Sequence, residues 1–378
     1  MDKEEIKQLI ARYHAGKCDP EEIAFIESWY NQWNDKLPFG LSSLELGTDL
    51  LLIKQNVLSS KPNPSTPSLW SHFIKIAAAI AIITLGTWLY LSYTPLSNQS
   101  DLQHATANIA PGKNTATLML ANGKTINLSA TKTGLVIKSN SLTYNDGSAM
   151  LNAEELRNNN VYQKNALLIA STPLGGTYQV TLPDGTKVWL NAATTLKFPA
   201  TFSGLANRKI ELIGEAYFEV SKNKNQPFIV NANHMALTVL GTHFNVNAYA
   251  DDTGPAATLL EGSIKVYPSN QVQHSALLKP GQQANLIGNI ISVHPVDVNQ
   301  AIAWKEGKFS FYREEVGSIM KKISRWYNVS VFYKDGADKI KFTGTISRYE
   351  KIYRVIEMLQ STGELKFKVA DRNIYISK

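Results

Sequence analysis

The chain has 378 residues, 44% of them apolar and 18% charged, with a single cysteine. That length accommodates two or three domains with real cores, and the lone Cys18 excludes a disulfide framework or a multi-cysteine metal site. A mean hydropathy of -0.17 excludes a polytopic membrane protein, and the formal charge of +7 is unevenly spread.

Lys and Arg number 8 against 10 Asp and Glu in residues 1–75, none of either occurs in 76–93, and 305–378 holds 16 against 9. The basic character therefore belongs to the last 74 residues.

Residues 1–60 read as short amphipathic helices. Ile6, Leu9, Ile10 and Tyr13 recur at helical spacing, and Gly16 follows as a stop. A second helix opens at Asp19-Pro20-Glu21-Glu22, with an N-cap acceptor, a first-turn proline and carboxylates at the positive helix end. Its apolar face carries Ile23, Ile26, Tyr30 and Trp33, with Trp29 flanking. These aromatics either form the unit's own core or lie in a partner's groove. Residues 61–75 form a proline-containing linker.

Residues 76–93, IAAAIAIITLGTWLYLSY, run without a charge and cover about 27 Å as a helix, close to the hydrocarbon thickness of a bilayer. Trp88, Tyr90 and Tyr93 sit where an aromatic belt belongs. Lys54, Lys61 and Lys75 precede the span, whereas 94–112 holds only Asp101 before its terminal glycine. The positive-inside bias predicts a cytoplasmic N-terminus and residues 94–378 outside, as in a single-pass inner-membrane protein. Direct nucleic-acid binding by the basic end is then excluded.

After a linker at 94–112 the periodicity changes to two, and 113–300 reads as an all-β domain of sandwich, prism or solenoid type. ATLMLANGKTINLSA (116–130) superposes on YQVTLPDGTKVWLNA (178–192), each a strand, an Asn-Gly or Asp-Gly turn and a strand. Further strands are predicted at 208–221, 227–231, 235–249, 257–267 and 282–294, with a short helical turn near 153–158. Glu215 and Glu219 invite a two-carboxylate glycosidase reading, but four strand residues span about 13 Å, beyond the roughly 5–9.5 Å such pairs need. His234 and His243 could approach Glu219 in space to hold a metal, but nothing in their spacing requires it, and no nucleophile elbow or phosphate loop occurs. The expectation is a non-enzyme with no metal and no cofactor.

Residues 301–378 form an α+β module. The pattern predicts strands at 308–312, 329–333, 340–346, 365–369 and 374–377, with amphipathic helices at 316–327 and 352–359, which amounts to two βαβ units. Lys322, Arg325, Arg348 and Arg354 fall on or beside these helices. They form either a solvated face or a surface that steers an acidic partner.

In this setting TPLGGTYQVTLPDGTKVWLNAATTLKFP (172–199), RKIELIGEAYFEVSKNKNQPFIV (208–230), LTVLGTHFNVNAY (237–249), LLEGSIKV (259–266), LLKPGQQANL (277–286) and WKEGKFSFYREEVGSIMKKISRWYNVSVFY (304–333) resemble, in order, the FecR-type transmembrane anti-sigma factors in the form common in Bacteroidota. The last stretch is similar to the short N-terminal domain of secretins and TonB-dependent receptors. The resemblance implies a cytoplasmic domain, 1–60, that holds an extracytoplasmic-function (ECF) sigma factor, with Trp29, Tyr30 and Trp33 as candidate contacts. It also implies that the outer part receives a signal from the N-terminal signalling domain of a TonB-dependent outer-membrane receptor, with Lys322, Arg325, Arg348 and Arg354 as candidate contacts. An intramembrane protease often completes release in this class. The competing reading is a membrane-anchored periplasmic glycan-binding or scaffolding protein.

Overall fold

The computed structural model describes residues 3–15, 17–19, 21–22, 102–103, 105–138, 141–151, 153–159, 161 and 166–378. The expected span at 76–93, the linker at 61–75 and Trp29, Tyr30 and Trp33 lie outside the described residues. Among those described, no helix is long and apolar enough to cross a membrane. The chain divides into two compact units, Met1–Thr94 and Pro95–Lys378.

In the first unit the predicted helix runs Lys3–His14, and Leu9 on its apolar face is buried. The expected cap at Asp19 forms: its Oδ1 accepts from the backbone N–H groups of Glu21 (3.0 Å) and Glu22 (2.8 Å). The Asp19 N–H donates to Glu22 Oε2 (3.3 Å), closing a reciprocal capping box.

The β body of the second unit is two sheets sharing one strand. The first sheet runs in the order Thr125–Asn127, Thr117–Met119, Leu167–Thr172, Thr194–Pro199, the first half of Arg208–Glu219, Phe228–Ala232, Met235–Val239, Ile264–Pro268 and Ala276–Leu278. The second runs Ala149–Leu151, Ser141–Tyr144, Gly134–Lys138, Gly176–Thr181, Lys187–Leu190, the second half of Arg208–Glu219, His243–Ala248, Ala256–Glu261, Gln282–Ile287 and Ile290–Pro295. The two similar hairpins close alike, with Gly123 at φ 85° and Gly185 at φ 82°, yet they lie in different sheets. The short helix Ala153–Asn158 also forms where expected.

One hydrophobic cluster fills the space between the sheets. Phe218 of the second sheet joins the two faces, stacking on Phe244 (4.9 Å between centroids) and meeting Phe228 of the first edge-on (6.4 Å). Beside it the buried Arg208 guanidinium pairs with Asp184 at 2.6 Å and covers the Phe228 ring at 5.3 Å.

Three predicted strands are each broken in two. The 235–249 run breaks at Gly241 (φ 150°), 257–267 at Gly262 (φ 93°) and 282–294 at Gly288 (φ 61°). Each break lets the chain turn back or change sheets where the alternating pattern alone reads as continuous.

The C-terminal module follows the predicted order of elements but not the predicted βαβ pairing, because in each strand–helix–strand run the two strands belong to different sheets. Lys308–Glu315 pairs antiparallel with Lys341–Ser347, and helices Val316–Tyr327 and Ile352–Gln360 follow them. Ser330–Tyr333 lies parallel to Asn373–Ser377, which pairs antiparallel with Lys366–Ala370. Val316, Ile319, Met320, Ile323, Trp326 and Tyr327 are buried along one stripe of the first helix, as its apolar spacing requires.

The segment expected as a linker at 94–112 departs from that expectation. Leu102 and Ile109 are buried in the core of the C-terminal module, and Lys113–Asn114 adds parallel to Gly176–Thr177. Two apolar side chains spaced by seven residues were too sparse a signal to distinguish packed chain from tether.

Gly214 is the point at which strand Arg208–Glu219 passes between sheets, at φ 99°. A β-carbon there would lie 2.6 Å from Thr194 Oγ1 and 2.8 Å from Thr194 Cα, so both the conformation and the space require glycine. Gly214→Ala is therefore expected to cost at least about 2 kcal/mol of stability in urea unfolding.

Candidate functional site at the junction of body and module

The two cores of the second unit meet where three stretches of chain converge. These are the incoming segment around Gly112, the turn Pro173–Gly176, and the C-terminal turn of helix Val316–Tyr327. The Gly175 N–H donates to Arg325 O (2.7 Å), and the Lys113 N–H donates to Gly175 O (2.8 Å). A β-carbon on Gly112 would lie 2.6 Å from both Gly175 O and the Trp326 ring, so the backbone runs flat against the indole. Trp326 is buried and its Nε1 donates to Arg348 O at 2.7 Å.

Arg348 covers the other part of this ring, its guanidinium 3.8 Å from the indole centroid. Its Nη1 donates to Trp304 O (2.8 Å) and its Nη2 to Asn191 Oδ1 (2.9 Å) on the body. Burial pushes its pKa down to about 10, against the opposing pull of Glu215, so it stays cationic at neutral pH.

Glu215 is the acidic counterpart. Its Oε2 accepts from Asn191 Nδ2 (2.7 Å) and its Oε1 from Asn245 Nδ2 (2.9 Å). Asn245 Oδ1 in turn accepts from Trp304 Nε1 (3.1 Å). Asn191 thus stands between carboxylate and guanidinium, one amide relaying both charges. Burial raises the Glu215 pKa, opposed by the Asn245 and Asn191 donors.

A second clamp sits beside Trp326 on the same helix. Arg325 is 8% exposed, donates to Asp251 and Asp252 at 2.7 Å each, and lies 3.7 Å over the Tyr249 ring. Tyr249 OH donates to Ala192 O at 2.5 Å. Lys305, on the chain joining body to module, lies 4.6 Å from both the Trp189 and Tyr217 rings.

Beside the junction, a cleft of about 950 Å³ opens between the second sheet and the 316–327 helix. Asn247, Thr258, Gln283 and Asn285 face it from the sheet, and Ser318 and Lys321 face it from the helix.

Of the four basic residues expected to meet a receptor, two are corrected by this geometry. Arg325 and Arg348 are buried between body and module, already paired or stacked, and no partner reaches them without opening the junction. Lys322 is partly exposed and pairs with Glu314 (2.7 Å), and the exposed Arg354 pairs with Glu357 (3.1 Å). Glu215 and Glu219 part company: Glu215 joins the junction, whereas Glu219 lies opposite His243, which contacts Glu261 at 3.2 Å. Among the described residues no group of three or more metal-ligating side chains converges. Sequence reading singled out Glu215 only as half of a carboxylate pair and missed Asn191, Asn245 and Trp304. Glu215 and Asn245 lie on strands and Asn191 just beyond one, whereas Trp304 lies on the chain entering the module, and only the folded arrangement brings the four together.

Residues 169–265 match the family described as FecR protein, and residues 308–376 match that described as FecR, C-terminal. The chain is of the FecR type. Two crystal structures of a candidate anti-sigma factor from Parabacteroides distasonis, at 1.65 and 2.50 Å resolution, are similar to it at 28% identity, with TM-scores of 0.51 and 0.52. Each alignment covers 56% of this FecR-type chain and 98% or 99% of the Parabacteroides chain. No curated protein sequence matches it.

Glu215 gives the junction a pH signature. A carboxyl whose folded-state pKa is raised contributes its full stability below its unfolded pKa and loses it as pH rises through the folded value. The stability of the wild type relative to Glu215→Gln is therefore expected to fall as pH is raised over the range above the ordinary carboxyl value, read in urea unfolding. A difference that stays constant over that range would place Glu215 outside the junction's energetics.

Proposed function

We propose that this FecR-type chain is a single-pass inner-membrane anti-sigma factor and not an enzyme. Its N-terminal unit holds an ECF sigma factor in the cytoplasm. Its β body and C-terminal module lie in the periplasm and answer to the N-terminal signalling domain of a TonB-dependent receptor, with an intramembrane protease completing release. The paired family matches and the likeness to the Parabacteroides structures support the anti-sigma role. The uncharged run at 76–93 and its lysine-bearing inner flank support the topology.

The observation that carries the relay is the position of Gly112. The chain that leads toward the N-terminal unit lies against Trp326 of the C-terminal module, with Leu102 and Ile109 in that module's core. A partner that moves the module therefore acts directly on the chain leading to the membrane. Information passes if the partner binds one arrangement of this junction more tightly than the other.

The full chain is expected to co-purify with its ECF sigma factor, and deletion of residues 1–60 to abolish that and derepress the sigma factor's genes. Failure of the intact chain to retain any sigma factor would sink the reading. A reporter fused after Lys378 is expected to be active only in the periplasm. The amide-lined cleft supports a second reading, glycan binding, which calls for saturable titration by an oligosaccharide and no sigma factor.

A further inference from the structure

The three-stranded sheet of the C-terminal module runs Ser330–Tyr333, Asn373–Ser377, Lys366–Ala370, and so presents two edges. They differ in kind. The Lys366–Ala370 edge carries Lys366 and Lys368, and charge on an edge strand discourages pairing by another chain. The Ser330–Tyr333 edge, SVFY, carries no charge at all.

Backbone geometry says what that edge offers. The Ser330 N–H donates to Arg372 O and the Lys334 N–H to Ile376 O, both at 2.8 Å, inside the sheet. Peptide groups alternate sides along a strand, so the Val331 and Tyr333 N–H groups point away from the sheet. The cleft of about 950 Å³ reaches this edge, with Val331 and Tyr333 among its walls. On the outer face Phe332 and Tyr375, 49% and 44% exposed, stack at 5.1 Å between centroids. They form a ready platform for one more side chain in the same row. The module's excess of 16 basic over 9 acidic residues sets the charge that a partner must complement.

We infer that Ser330–Tyr333 is a docking edge for an extended β-strand of a partner protein. That strand enters the cleft as a fourth strand, places an apolar or aromatic side chain beside Phe332, and carries acidic flanks. Main-chain hydrogen bonds to Val331 and Tyr333 supply affinity, and the Phe332–Tyr375 platform supplies selectivity. The inference rests on the relay reading, in which the receptor's N-terminal signalling domain is the partner at this module. It moves the contact from the basic helix residues to an uncharged strand.

The test titrates the full chain in detergent with the purified N-terminal signalling domain of the receptor and follows amide hydrogen exchange. Binding is expected to protect the Val331 and Tyr333 amides. Val331→Pro, which removes the outward N–H together with a side chain packed on the module's core, is expected to weaken binding at least about tenfold, whereas Val331→Ala, which keeps the N–H, is expected to bind like the wild type. Ile290→Lys, on the exposed last strand of the body's second sheet, is expected to leave affinity unchanged. Wild-type binding without protection at 331 and 333 overturns the docking edge and leaves the relay standing. So does binding that a folded Val331→Pro chain retains in full. A wild-type chain that does not bind the receptor domain overturns the relay, and the edge assignment with it. Self-association that Val331→Pro abolishes would assign the edge to a second copy of this chain and overturn the partner named here. Hydrogen exchange reads the wild type alone, so the test survives even if the proline variant fails to fold.

Discussion

The flat contact between the Gly112 backbone and the Trp326 indole organises the second unit. It exists because glycine at 112 lets the main chain lie on the ring, while glycine at 175 lets a second stretch approach the Trp326 backbone oxygen. Around it the hydrogen bonds follow: Gly175 to Arg325, Lys113 to Gly175, Trp326 to Arg348. The strand Lys113–Asn114 then continues beside Gly176–Thr177, so the entering chain belongs to the body and the module at once. With no side chain to flex at either glycine, a shift of the indole must be met by the backbone itself.

The polar character of this junction separates it from the two cores it joins. The body's core and the module's core are apolar clusters whose opening would expose large side chains to water. Between them lie Glu215, Asn191, Asn245, Arg348, Arg325 and Asp252, groups that water can also satisfy. A buried ionic network of this kind adds little net stability over apolar packing, but it penalises wrong geometry heavily. The result is a joint with one preferred arrangement whose separation costs far less than unfolding either side. Such a boundary between domains is where relative motion is expected.

Charge was the least transferable feature of the primary structure. The last 74 residues are plainly basic, yet the arginines most conspicuous on the helix pattern are not one surface. Arg325 meets Asp251 and Asp252 from a loop some seventy positions away, and Arg348 reaches Asn191 across a separation of 157 residues. No helical spacing reveals an acidic partner so distant along the chain. The remaining lysines keep the module positive, while its uncharged strand edge is visible only when the strand order is known.

Local pattern by itself determined the helix over 3–14, the cap at Asp19 that follows it, both hairpins, and the element order of the last 74 residues. These rest on spacing and turn chemistry that act within a few residues of one another. Tertiary structure alone decided that Arg208–Glu219 serves two sheets through Gly214, that 102–114 packs instead of hanging free, and that Glu215, Arg325 and Arg348 are interior. The last two of those outcomes depend on which surface another part of the chain covers. A strand's alternation marks which side chains face away from its own sheet, but it carries no record of what arrives later to bury them.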